Sequence, residues 1–73
     1  MNLEELRVAL AKLEHDARRY RVLEKPDDST WCIERRGKTW LVFWFERGTR
    51  FDLQRFKTEG AACEYFLNQV VRS

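Results

Sequence analysis

Residues 40–45 read Trp-Leu-Val-Phe-Trp-Phe, and this unbroken apolar run constrains the fold more than any other feature of the chain. Aromatic and β-branched residues of this kind favour the middle strand of a sheet. Successive side chains of a strand point to opposite faces, so Trp40, Val42 and Trp44 share one side while Leu41, Phe43 and Phe45 share the other. Both sides are apolar, and each needs a partner layer or a reason to meet solvent.

The flanking segments supply the rest of a sheet. Thr30–Arg35 alternates Trp31 and Ile33 with Cys32 and Glu34, and Arg36-Gly37 forms a turn in which Gly accepts positive φ. With those two residues as the loop, Ile33 faces Trp40 and Trp31 faces Val42, so the largest apolar groups of both strands lie on one side. Arg47-Gly48 turns the chain again, and Thr49–Lys57 makes a third strand carrying Phe51, Leu53 and Phe56. Its register is left open, because one residue more or less in the Gly48 loop exchanges Phe51 and Leu53 with Phe56 between faces.

A helix is expected on each side of this sheet in the sequence. Leu3, Leu6, Leu10, Leu13, Ala17 and Tyr20 recur at steps of three and four, the stripe of an amphipathic helix. Asn2 is its N-cap, Glu4 and Glu5 suit its positive end, and it ends between Asp16 and Tyr20, ahead of the loop cluster Lys25-Pro26-Asp27-Asp28-Ser29. Thr58 caps the second helix, with Ala62, Cys63, Phe66, Leu67, Val70 and Val71 as its apolar stripe. The expected fold is α+β, ordered α-β-β-β-α, a three-stranded antiparallel sheet with two helices packed on one face. At 73 residues the chain makes a single compact domain, 1–73.

In that arrangement the second face of the sheet exposes Leu41, Phe43 and Phe45. Such a patch marks a protein interface, unless a helix crosses over to bury it. The charge pattern points to the same region. Net charge is only +2, yet residues 34–57 carry seven basic side chains against three acidic ones, so the central sheet is basic while both ends are slightly acidic.

Residues with catalytic or metal-binding chemistry are sparse. His15 lies off the apolar stripe with no nucleophile beside it, and Cys32 and Cys63 lack the spacing of a zinc site. Both cysteines read as buried small apolar residues. The glycines at 37, 48 and 60 form no phosphate loop. No enzymatic activity, cofactor or metal is expected. The opening residues have neither the basic nor the apolar region of a secretory signal, and no apolar run reaches membrane-spanning length, so a cytoplasmic protein without membrane contact is expected.

Two functional readings follow. The stretch Trp40-Leu41-Val42-Phe43-Trp44-Phe45-Glu46-Arg47-Gly48, followed by Phe56-Lys57-Thr58-Glu59-Gly60-Ala61-Ala62-Cys63-Glu64-Tyr65-Phe66-Leu67, resembles small bacterial immunity proteins of polymorphic toxin systems of the contact-dependent inhibition and Rhs kinds. The resemblance covers about residues 20–68. It implies an antitoxin that neutralises the C-terminal domain of a cognate toxin by blocking its active site or substrate path, with no chemistry of its own. The expected protein-binding residues are Leu41, Phe43 and Phe45 as apolar anchors and Arg36, Arg47 and Arg50 as hydrogen-bonding arms. Glu46 is either another contact or a structural residue of the hairpin, holding Arg47 or a backbone amide. The alternative is a small nucleic-acid-binding domain of double-stranded-RNA-binding-like topology, using Arg35, Arg36, Lys38, Arg47 and Arg50 on phosphates. Against it, the final helix opens with Thr58-Glu59-Gly60-Ala61-Ala62 rather than a cluster of cations, so nucleic acid is the less favoured partner. A homodimer through the sheet face is a third possibility.

Overall fold

The computed structural model describes residues 1–13 and 17–72. It is an α+β fold of two layers, with a four-stranded mixed sheet backed on one face by two helices. The elements are α1 (Leu3–Lys12), a short 3-10 turn (Ala17–Arg19), β1 (Tyr20–Val22), β2 (Thr30–Arg36), β3 (Thr39–Glu46), β4 (Thr49–Phe56) and α2 (Glu59–Arg72). The strands lie in the order β1-β2-β3-β4.

Helix α1 begins as expected: the Asn2 side chain accepts from the Glu5 amide at 2.8 Å while Glu5 accepts from the Asn2 amide at 2.9 Å, a reciprocal cap. It ends earlier than expected, at Lys12, where Leu13 turns extended. Ala17 and Tyr20, assigned to the helical stripe, belong instead to the 3-10 turn and to β1. Tyr20 still joins the helix-side core, because β1 presents it to the same layer that a longer helix would have reached. Helix α2 is capped by Thr58, whose hydroxyl accepts from the Ala61 amide at 3.2 Å. Ala62, Cys63, Phe66 and Val70 are buried, but Val71 is exposed, outside the stripe. Glu59 accepts from the Leu3 amide at 2.7 Å, tying the starts of the two helices together.

The expected sheet of three antiparallel strands is corrected by β1, which pairs parallel with β2, Tyr20 opposite Trp31 and Val22 opposite Ile33. Parallel neighbours usually need a crossover of a dozen or more residues. Here β1 is only three residues long, so the return climbs about 10 Å, and residues 23–29 manage it with reversals at Leu23 (φ 55) and Ser29 (φ 57).

The β2–β3 register also differs from expectation. The loop residues are Gly37 and Lys38, with Arg36 opposite Thr39, so Ile33 faces Val42 and Trp31 faces Trp44. Gly37, at φ 61, takes the first position of the turn, where a two-residue hairpin of this type favours glycine. The displacement is two residues, one full period of the strand, and every side chain keeps its expected face. At the β3–β4 hairpin Arg47 (φ 52) and Gly48 (φ 75) both take positive φ, the backbone of a type I′ turn.

The open register of β4 is resolved by a bulge. Trp40 pairs with Phe56 and Val42 with Gln54, but Trp44 pairs with Phe51, and the ladder shifts between Val42 and Trp44. The extra residue sits where Asp52 adopts φ 53. Phe51 and Phe56, an odd number of residues apart, therefore both face the helices, while Leu53 turns to the opposite side.

Helix-side burial is complete at Leu6, Ile33, Val42, Ala62, Cys63 and Phe66, which form one cluster with Leu10, Val22, Trp40 and Val70. Two helices on one face, as expected, account for this core.

Candidate interaction surface

The outer face of the sheet is assembled from alternate residues of all four strands. Register places Thr30 opposite Phe45, Cys32 opposite Phe43, and Glu34 opposite Leu41. On the other flank Phe45 faces Arg50 and Leu41 faces Arg55. Cys32, Leu41 and Phe43 form a second cluster, with Phe45 and Leu53 packed against it and no helical residue among its members.

This cluster corrects the expectation that Leu41, Phe43 and Phe45 stand exposed. Phe43 is 0% exposed and Leu41 7%. Only Phe45 is partly open. The cover comes from side chains of the sheet itself. Arg50 lays its guanidinium 4.9 Å from the centre of the Phe43 ring and reaches across β3 to Glu34 on β2 at 3.6 Å. Phe45 meets Phe43 edge-on at 6.5 Å. Leu53, turned outward by the bulge, packs against the same cluster. A long arginine can shield apolar surface with its stem while its charged end stays in water, and the guanidinium gains from the ring face beneath it.

Three of the predicted site residues are therefore the floor and wall of a small outer core. The predicted arginines are all exposed. Arg36 approaches Glu34 at 3.9 Å, so Glu34 stands between Arg36 and Arg50. Arg47 occupies the tip of the β3–β4 hairpin, where its backbone amide donates to Asp28 at 2.6 Å. Sequence reasoning had offered Glu46 for such a hairpin contact; the carboxylate that holds this amide comes from the 23–29 loop instead.

Several residues of this surface escaped sequence reasoning. Glu34 and Arg55 follow the strand alternation onto the outer face, but reading them as neighbours of Leu41 required the true register. Arg21 lies beside Cys32 in the β1–β2 ladder; its guanidinium pairs with Asp27 at 3.1 Å and donates to the Tyr20 carbonyl at 2.8 Å. Asp27 and Asp28, which looked like ordinary polar loop residues, hold Arg21 and the Arg47 amide. Beneath them Thr30 is buried; its hydroxyl donates to the Asp27 carbonyl at 2.5 Å and lies 3.3 Å from the Cys32 sulfur.

The helix side carries an aromatic row in which Trp31 and Trp44, expected on one side, are joined by Tyr20 and Phe51. Tyr20, Trp31, Trp44 and Phe51 are successive partners across the four strands. Trp31 and Trp44 meet edge-on at 5.6 Å, and Phe51, on the outermost strand, is 45% exposed. That strand is blunted against pairing with another sheet by the bulge at Asp52 and by the charges of Arg50 and Arg55.

Both cysteines are free and buried, Cys32 in the outer cluster and Cys63 on α2 in the helix-side core. Burial raises the pKa of each thiol above the usual range, with neighbouring carboxylates, Glu34 and Glu59 respectively, adding to the effect. His15 lies outside the described residues. Among the described residues, no three His, Cys, Asp or Glu side chains gather as a metal site, and no helix is long and apolar enough to cross a membrane. No protein-family model, curated protein or solved structure matches the chain.

Proposed function

We propose that the chain is an immunity protein that binds a cognate bacterial toxin domain through the outer face of its sheet and blocks the toxin's active site or substrate path. The observation that carries the reading is a sheet face that no helix among the described residues covers, with a buried apolar floor of Cys32, Leu41 and Phe43 and exposed Arg36, Arg47 and Arg50. A floor held by its own packing loses little conformational freedom on docking, which favours affinity for a given contact area. Phe45, partly open beside Arg50, is the apolar handle.

Strands of three, seven, eight and eight residues, about 4.8 Å apart and rising about 3.3 Å per residue, span roughly 410 Å², against about 800 Å² per partner in a standard interface. Contact must extend to the turns at both ends, at Gly37 and at Arg47-Gly48, which is where two of the three arginines stand. Inhibition of this kind needs no catalysis and no cofactor, and a cytoplasmic setting suits it.

The test is co-expression with the toxin domain encoded beside this chain's gene. The expected result is a stable complex and rescue of growth. Growth arrest despite full expression of the folded chain, with no complex on size exclusion, overturns the proposal. A concentration series in sedimentation separates it from a homodimer through the sheet face. The nucleic-acid alternative draws on the same cations, but Glu59 stands in the first turn of α2, engaged with the Leu3 amide, and the parallel β1 departs from that topology. It predicts a mobility shift with duplex RNA that fades steeply with salt.

A further inference from the structure

The outer face also indicates the chemistry of its partner. By register, Arg21, Arg36, Arg50 and Arg55 lie on this side of the sheet together with the Glu34 carboxylate. Arg21 is engaged by Asp27. Arg36 and Arg50 share Glu34 at 3.9 and 3.6 Å, longer than the roughly 2.7–2.9 Å of a strong charge-assisted hydrogen bond. Each guanidinium has five donors, and these two side chains are 67% and 39% exposed, so both keep donors for a ligand. Arg55, opposite Leu41, is exposed as well.

We infer that the outer sheet face docks an acidic protein surface, whose carboxylates bind Arg36, Arg50 and Arg55 around the partly open Phe45. The inference rests on the protein-binding reading above and adds the charge of the partner. Planar guanidinium forks match carboxylates in two-point contacts, and the long single-nitrogen approaches to Glu34 leave those forks unfilled. Phosphates would find the same cations, but a nucleic-acid strand gains much of its affinity from bases stacked on open rings. Here the Phe43 ring is fully buried, with the Arg50 guanidinium over it.

The test uses two probes of equal length, a 20-residue polyglutamate peptide and a 20-base-pair RNA duplex, titrated into the isotope-labelled chain at low salt. The expected result is peptide binding with NMR shifts concentrated at the Arg36, Arg50 and Arg55 side chains and the β4 amides. In the double variant Arg36→Glu/Arg55→Glu, which leaves Arg50 over Phe43, affinity for the peptide falls at least about tenfold. Shifts confined to the helix side, no binding, tighter binding of the duplex, or unchanged affinity of a folded double variant each overturns the inference. These readouts do not involve a toxin. Failure of toxin neutralisation with a positive peptide result removes the immunity reading alone.

Discussion

Replacing Phe43 by Ala separates an interface anchor from a core residue by a large margin. The side chain is fully buried, on the side of the sheet that the helices do not touch. Truncating a buried Phe costs about 3–5 kcal/mol through lost transfer energy and the cavity left behind. Arg50 also loses the ring it covers at 4.9 Å, a contact worth about 0.5–1 kcal/mol at a partly exposed site. A domain of 73 residues has roughly 4–11 kcal/mol in total, at about 0.05–0.15 kcal/mol per residue. Phe43→Ala therefore removes a third or more of the stability, and at ~4–8 °C per kcal/mol it lowers Tm by more than about 12 °C.

Urea unfolding followed by tryptophan fluorescence measures the effect, with the slope checked against the parent. Phe45→Ala is the comparison, since that ring is already partly open and its loss is expected to cost about half as much or less. A loss below about 1 kcal/mol for Phe43→Ala at unchanged slope refutes the reasoning. It would mean that Arg50 and Leu53 do not close the outer cluster and that Phe43 is available to a partner directly.

Asp28→Ala removes the 2.6 Å carboxylate contact to the Arg47 amide; a loss of about 0.5–1.5 kcal/mol is expected, with faster hydrogen exchange at Arg47 as the local check. Arg47→Asn places Asn-Gly in a turn whose two residues already have positive φ, and a gain of about 0.5 kcal/mol in urea unfolding is expected. Cys32 and Cys63 are expected to resist a thiol reagent at pH 8 in the native chain and to react fully in denaturant. Their folded pKa values lie above the ordinary 9.0, so the unfolded chain ionises first. Stability is retained below about pH 9 and declines as pH rises beyond it, which denaturation between pH 8 and 10 tests.

Much of the fold was legible in the residues themselves because its signals are local. The Asn2 and Thr58 caps, the Arg47-Gly48 turn and the division of residues 40–45 between two faces depend on backbone geometry within a few positions. The face assignment even survived a register displaced by two residues, since the strand period is two. The candidate site was legible only in part. Arg36, Arg47 and Arg50 are exposed as expected, but the anchors Leu41 and Phe43 are not.

What the amino-acid sequence determined by itself is the set of elements from β2 onward and the sidedness of β2 and β3, both consequences of short-range periodicity and steric preference. Tertiary structure alone decided three things. Residues 20–22 became a parallel edge strand because β2 offered them a ladder, against a helical pattern that continued to Tyr20. Asp52 took the bulge that puts Phe51 and Phe56 on one face. Arg50 came to lie over Phe43 and reach Glu34, two strands away. Each depends on partners distant in sequence, and the last converts an apolar strand face from a bare patch into a small core with a charged surface.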